Sequence, residues 1–210
     1  MERLIHFLSE LKDGEEFKEF ISQCCLILPG DFPNLLKNYQ EIFERFAKQL
    51  SAVISADPHM LPISDEEIKT AFSEGRAVLL TGPKFSKPVG FAKLAPWKDE
   101  NGVVACREVG SVWVTDYLRG HGLGRFIINT LTNDLISNGR ISDAVPLIAV
   151  VTHDNKPSNN LFSKIPDWQR VDLTTEQTSD FNHFVINGVN IFEGWGKPSS
   201  VYWYNKSQPF

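Results

Sequence analysis

Apolar residues recur along the chain with two different periods, and the change falls near residue 76. Upstream of it, Phe17, Phe20, Ile21, Cys24 and Leu28 follow helical spacing, and so do Leu35, Tyr39, Ile42, Phe46, Leu50 and Val53. The pattern predicts two amphipathic helices, with Gly30, Asp31 and Pro33 punctuating the gap between them. Within this segment only CCLIL (24–28) offers room for a strand. Ser64 and Glu67 stand at the spacing of a capping box, which predicts a short third helix ending at Gly75.

Downstream the period shortens. AVLLTG (77–82), VGFAKLAP (89–96) and ACREVGSVWV (105–114) are β-rich runs separated by short polar turns, the pattern of an antiparallel meander. Leu123, Ile127, Leu131 and Leu135 then stack every four residues in a helix expected over 122–137, stopped by Asn138 and Gly139. PLIAVVT (146–152) has the unbroken apolar character of a strand buried on both faces. A short helix around Ser158 to Lys164 follows, then two or three strands among WQRVDLT, FVINGVNIF and SVYWYNK. The expected organisation is a helical N-terminal extension, 1–60, packed on a main α/β domain, 61–210, with no internal repeat and no low-complexity linker.

Composition narrows the function classes. A chain of 210 residues with 42% hydrophobic content can bury a real core, so a soluble globular protein is the default expectation. A net charge of -5 argues against a general affinity for nucleic acid, which depends on clustered cations. The stretch MERLIHFLSELKDGEEF carries charges every few residues, so neither a signal peptide nor a membrane span is expected, and the cytoplasm is the simplest location. Cys24 and Cys25 are adjacent and Cys106 is distant, which suits neither a disulfide framework nor a zinc site; all three read as buried small hydrophobes. His6, His59 and His183 lack partners at metal-ligand spacing, so no metal is expected. Trp195, Tyr202, Trp203 and Tyr204 fit C-terminal strand and core, with one ring available to an acceptor pocket.

The densest chemistry lies in DYLRGHGLGRF (116–126), between the strand ending at Val114 and the helix that follows. Helix N-termini present backbone N–H groups with no partner of their own, and Gly120, Gly122 and Gly124 lack the Cβ atoms that would keep an anion away. With the helix dipole and Arg119 adding positive potential, the stretch has the make-up of a phosphate site. It is not a Walker loop, because no GxxxxGK[ST] run occurs in the chain. Nor is it the dinucleotide fingerprint, because Arg125 occupies the third glycine position and the preceding strands read antiparallel.

Val114, four residues, Arg119, two residues, Gly122, one residue and Gly124 is a spacing that resembles the GNAT superfamily of N-acetyltransferases. EVGSVWVTDYLRGHGLGRFI (108–127) and THDNKPSNNLFSKI (152–165) carry the resemblance most specifically, and the order of elements agrees over roughly 64–205. It implies a GNAT-like acyl-CoA N-acyltransferase fold: a mixed, mostly antiparallel sheet flanked by helices. It also implies acetyl-CoA as acyl-donor substrate. The pyrophosphate would sit on the N–H groups of His121, Gly122, Leu123, Gly124 and Arg125, bordered by Arg119 and Gly120, and the pantetheine would pair with main-chain groups of Val112, Trp113 and Val114. An N–H near Val114 would stabilise the oxyanion of the tetrahedral intermediate. The ring of His121 is expected to point outward.

The resemblance also suggests Glu108 as the base that deprotonates the amine, six residues before Val114 and, by alternation, on the same face as Gly110, Val112 and Val114. The competing reading pairs Glu108 with Arg107, Lys93 or another cation. Where many family members carry a tyrosine acid after N-x-x-A-x-x-L, this chain has Asn155, Ser158, Leu161 and then Phe162. Asn155 and Ser158 become polar contacts to the cofactor; either Phe162 only packs against the pantetheine while water, Ser158 or His153 serves the thiolate, or the site binds CoA and transfers poorly. The acceptor is an amine, small-molecule first and protein α-amine or lysine second, and a longer acyl donor stays open. A non-catalytic acyl-CoA-binding module with a partner-recruiting extension is the alternative. A homodimer through the C-terminal strands is compatible with the sequence but not required by it.

Overall fold

The computed structural model describes residues 14–139, 145–171, 184–192 and 198–204. In chain order the elements are α1 (Glu15–Ser22), β1 (Cys25–Ile27), α2 (Phe32–Ala56), α3 (Asp65–Ser73), β2 (Ala77–Thr81), β3 (Pro88–Lys98) and β4 (Val104–Val114). Then come α4 (Leu123–Ser137), β5 (Leu147–Thr152), α5 (Lys156–Phe162), β6 (Trp168–Arg170), β7 (Val185–Ile186), β8 (Val189–Asn190) and β9 (Ser199–Tyr204). Seven strands hydrogen-bond in the order β1-β2-β3-β4-β5-β9-β6, and β7 and β8 form a separate hairpin. β1/β2, β2/β3, β5/β9 and β6/β9 are antiparallel, whereas β4/β5 is parallel. This is the mixed, mostly antiparallel sheet flanked by helices that the sequence predicts. Contacts divide the chain into two compact units, the described parts of Met1–Lys93 with Ser111–Asn138, and of Leu94–Gly110 with Gly139–Phe210; β3 and β4 run through both.

In the first unit, Phe43, Phe46, Ala47, Leu50 and Ile54 form the buried stripe of α2, and Pro33 opens the helix where a missing N–H costs nothing. Phe72 of α3 is the hub: it stacks on Phe32 at 4.7 Å and meets Phe43 at 5.6 Å and Phe91 of β3 at 6.1 Å, edge on. Two members of the predicted helical stripe, Tyr39 and Val53, are exposed instead, and α2 departs from helical geometry at Tyr39. A second correction concerns CCLIL. The first helix stops at Ser22, and Cys25, Leu26 and Ile27 pair with Thr81, Leu80 and Leu79 as an edge strand. Cys24 and Cys106 are buried as expected, but Cys25 is only half-buried.

The capping box forms as predicted. The Glu67 amide donates to Ser64 Oγ at 3.2 Å, and the Ser64 amide donates back to Glu67 Oε2 at 3.0 Å. α4 buries Leu123, Ile127, Leu131 and Leu135. Its close seat on the sheet depends on Gly90, where a Cβ would come within 2.5 Å of Ile127 Cδ1.

In the second unit, β5 is buried along nearly its whole length, and Val150 and Val201 pack with Cys106, Ile186 and Phe192. Of WQRVDLT, Trp168–Arg170 form β6, and FVINGVNIF folds into the β7/β8 hairpin. His6, His183 and Trp195 lie outside the described residues.

Two stability predictions follow from these contacts. Gly90→Ala is expected to lower stability by roughly 1–3 kcal/mol through overpacking. Adding Ile127→Val, which removes the offending Cδ1, should recover most of that loss in a chemical-denaturation cycle. Ser64→Ala should cost about 1 kcal/mol in the same assay. Burial alone would raise the Glu67 carboxyl, but the Ser64 hydrogen bonds and nearby Lys93 outweigh it and hold it below its ordinary 4.5. A group depressed in the folded state stabilises above its unfolded value, so the wild-type advantage over Ser64→Ala should shrink as pH falls through and below about 4.5.

Candidate functional site

β4 carries one backbone feature that simple alternation misses. Ser111 has φ 53, a left-handed conformation that a side chain adopts only with strain. A left-handed residue inside a strand interrupts simple alternation, and beyond it Trp113 and Val114 are both buried. Before it, a Cβ on Gly110 would sit 3.5 Å from Glu108 Oε1, as neighbours on one face should. The parallel ladder to β5 registers only Arg107 with Leu147 and Glu108 with Ile148, so Val109–Val114 have no registered β5 partner.

After Val114 the chain is tied down, then freed. The Thr115 amide donates to the Val89 carbonyl at 3.0 Å, a single 3-10 turn covers Asp116–Leu118, and buried Leu118 anchors it. Gly120 and Gly122 then take φ 87 and 80, values that favour glycine over any other residue. Gly122 is the N-cap of α4, and the first helical bond runs from the Phe126 amide to its carbonyl at 3.0 Å. The amides of Leu123, Gly124 and Arg125 therefore precede the helical ladder. The first turn of α4 has no acidic residue to neutralise the positive end of its dipole. Such a terminus attracts anions through backbone donors.

The side chains around this loop are more committed than the sequence suggests. Arg119 Nε donates to the Val114 carbonyl at 2.9 Å, and its terminal nitrogen reaches Asp57 at 3.2 Å and Asp116 at 3.1 Å. Its charge is thus shared with two carboxylates, and its main visible work is to lock the strand end to the loop. The His121 ring, expected to point outward, instead stacks on Phe17 of α1 with centroids 4.2 Å apart. Phe20 meets Tyr117 edge on at 6.2 Å, and Lys87 lies over the same Tyr117 ring at 5.2 Å. α1 therefore backs the glycine loop through two aromatic contacts.

The remaining predicted residues belong to the second unit. Glu108 Oε2 accepts a 2.9 Å hydrogen bond from the indole Nε1–H of Trp97 on β3. Lys93, one suggested partner of Glu108, instead faces Glu67 at 3.4 Å. Nothing in the spacing announced the indole; both residues simply flank the β3–β4 turn. The neighbouring Cys106 thiol is pushed up to about 12 by burial and by the Glu108 charge, so it is no nucleophile near neutral pH. Asn155 caps α5, its Oδ1 accepting from the Ser158 amide at 3.1 Å. Phe162, expected against the pantetheine, is 2% exposed and packs on Trp168 at 5.0 Å and Tyr202 at 5.5 Å. Tyr202 belongs to strand and core as predicted, and its hydroxyl donates to Asn159.

Among the described residues, no cluster of three or more His, Cys, Asp or Glu could hold a metal ion, and no helix is long and apolar enough to cross a membrane. In a thiol-labelling experiment on the folded protein near pH 8, Cys25 is expected to alkylate first and Cys106 to stay protected until denaturant is added, as read by peptide mass spectrometry.

Residues 39–165 match the acetyltransferase (GNAT) family. No curated protein matches the chain. Among solved structures, Arabidopsis thaliana Naa50 in complex with the bisubstrate analogue CoA-Ac-MVNAL superposes with a TM-score of 0.51 at 13% identity, over 90% of this chain and 99% of that one. Diaminobutyrate acetyltransferase EctA from Paenibacillus lautus, in complex with L-2,4-diaminobutyric acid and coenzyme A, gives 0.53 at 11% identity, over 80% of this chain and 93% of that one. At these identities the likeness is one of fold.

Proposed function

The chain belongs to the GNAT acetyltransferase family, and from that premise we propose that it transfers an acetyl group from acetyl-CoA to a primary amine, that of a small molecule first and of a protein second. One observation carries the reading: two left-handed glycines deliver an α4 N-terminus with no acid in its first turn, directly after a strand whose parallel ladder has ended. In this reading the pyrophosphate lies on the amides of His121 to Arg125, and Arg119 shapes the loop rather than gripping the phosphate. The amides of the donor's pantetheine arm pair with main-chain groups of Val112, Trp113 and Val114, where the sheet offers no β5 partner.

An amine attacks only when it has lost its extra proton. Glu108 is the proposed base, with Trp97 fixing the carboxylate through its indole donor. The tetrahedral intermediate collapses by releasing the coenzyme thiolate, which takes a proton from water, Ser158 or His153. Asn155 and Phe162 act by holding α5 in place, since one is its cap and the other is buried beneath it. The described helices before residue 60 are proposed to shape the acceptor side. The structural neighbours' own ligands, a bisubstrate analogue and a diamine with coenzyme A, support amine acetylation as the reaction class. The buried Phe162 favours a second reading, a CoA-binding module without turnover.

Calorimetric titration with acetyl-CoA, followed by thiol release against a panel of amines, separates the two. Transfer predicts binding with amine-dependent thiol release. Glu108→Gln should then lower kcat/KM by about 10²-fold or more with acetyl-CoA affinity retained. Gly122→Val should weaken acetyl-CoA binding itself. Unchanged turnover in the first variant removes Glu108 as the base, and unchanged binding in the second removes the phosphate loop.

A further inference from the structure

Gly110 is a glycine that its own backbone does not require. It lies inside β4 with neither the left-handed φ of Gly102, Gly120 and Gly122 nor, among the described residues, another element close to its missing side chain. Apart from its chain neighbours, a Cβ built there meets, among the described residues, only Glu108 Oε1 at 3.5 Å and Glu108 Cδ at 3.8 Å. Both are ordinary van der Waals contacts, so alanine fits. A glycine inside a strand forgoes side-chain packing and costs backbone entropy, and such a position often marks close approach by a ligand.

The carboxylate of Glu108 is bounded on two sides. Cys106, two residues before it on the same face, is fully buried in the cluster that holds Ile148 and Val150, and Trp97 packs against that cluster. The core therefore closes the Cys106 side. The Trp97 indole Nε1–H donates to Glu108 Oε2 at 2.9 Å and so occupies the second. Oε1 is the oxygen that lies toward Gly110, and over Gly110 a path to the carboxylate is left. All of these residues belong to the second unit, so the arrangement is internal to it.

We infer, on the reading of Glu108 as the base, that Gly110 determines acceptor specificity: the room left by its missing side chain is where the carbon bearing the amine stands while the nitrogen reaches Glu108 Oε1. To pass its proton the nitrogen must come within about 2.6–3.2 Å of that oxygen. The ammonium N–H bond then breaks, the proton goes to Oε1, and the electron pair left on nitrogen attacks the acetyl carbonyl. With the nitrogen that close, substituents on its carbon reach the place where a side chain at 110 would stand. The acceptors that need this room are primary amines on a branched carbon. Unbranched amines do without it.

The test measures thiol release by the full chain at saturating acetyl-CoA with butylamine and with 2-aminobutane, isomers that differ in branching at the amine-bearing carbon. Wild type is expected to turn over both. Gly110→Ala should lower kcat/KM for 2-aminobutane roughly tenfold more than for butylamine, the value of one misplaced methyl group, with acetyl-CoA affinity unchanged by calorimetry. The ratio of the two amines is taken within one preparation, so a misfolded fraction cancels from it and a merely structural effect of the alanine leaves it unmoved. Gly110→Val should widen the ratio further; should it fail to fold, Gly110→Ala alone decides. Equal loss for both amines, or no loss, overturns the inference, and if Glu108→Gln abolishes turnover of both in the same assay the base reading survives it. Unchanged turnover in Glu108→Gln removes the base, and the inference falls with it. Wild type that accepts butylamine alone, or neither isomer, also overturns it, because the room beside Oε1 then admits no branch.

Discussion

Strand backbones must place their donors and acceptors somewhere, and in this protein the parallel ladder between β4 and β5 ends after two registered pairs. Beyond Glu108 and Ile148, β5 continues with β9 as its registered partner, while the chain at the far end of β4 bonds toward β3, as the Thr115 amide to the Val89 carbonyl shows. Release from β5 is what lets Ser111 leave the pleat. A left-handed residue inside a strand paired tightly on both edges would break two ladders at once; here one edge is already without a registered partner. Beyond Ser111, Trp113 and Val114 are buried, and the Val114 carbonyl accepts from Arg119.

The glycine loop illustrates how charge and geometry divide their labour. Arg119 looks, by residue type, like the cation that would meet an anion. In place, it holds the Val114 carbonyl and two carboxylates, Asp57 and Asp116, and so contributes shape more than net charge. In the proposed reading, the pull on an anion falls to backbone amides and the helix dipole, which are fixed by the fold and need no side chain to be ordered. At Gly120 and Gly122 the left-handed backbone itself disfavours any Cβ.

Much of this architecture was legible in the sequence because the signals were local. The capping box at Ser64 and Glu67, the four-residue stack along α4 and the apolar run of β5 each lie within one element, and each formed as predicted. β1 was obscured because Cys24 and Leu28 continue the helical period of Phe17 and Phe20, and three residues are too few to show alternation. Ser111 was invisible because serine has no preference for the left-handed region. The committed side chains, Arg119 with Asp57 and Glu108 with Trp97, join residues whose proximity only the folded backbone creates. Phe162, whose place in a motif suggests a cofactor contact, also has core neighbours, Trp168 and Tyr202, that only the folded backbone brings to it.

The stack of Phe17 on His121 has a consequence that reaches beyond packing. His121 is held between two glycines in left-handed geometry, the residues with most conformational freedom to lose. Its ring, pressed on α1, takes up some of that freedom before any ligand arrives. A chain that began at Cys25 would keep every described strand and every glycine of the loop, yet it would surrender this restraint. The order of the loop is therefore inherited in part from a helix that belongs to no strand of the sheet, and sequence drift ahead of β1 is felt at a turn far downstream.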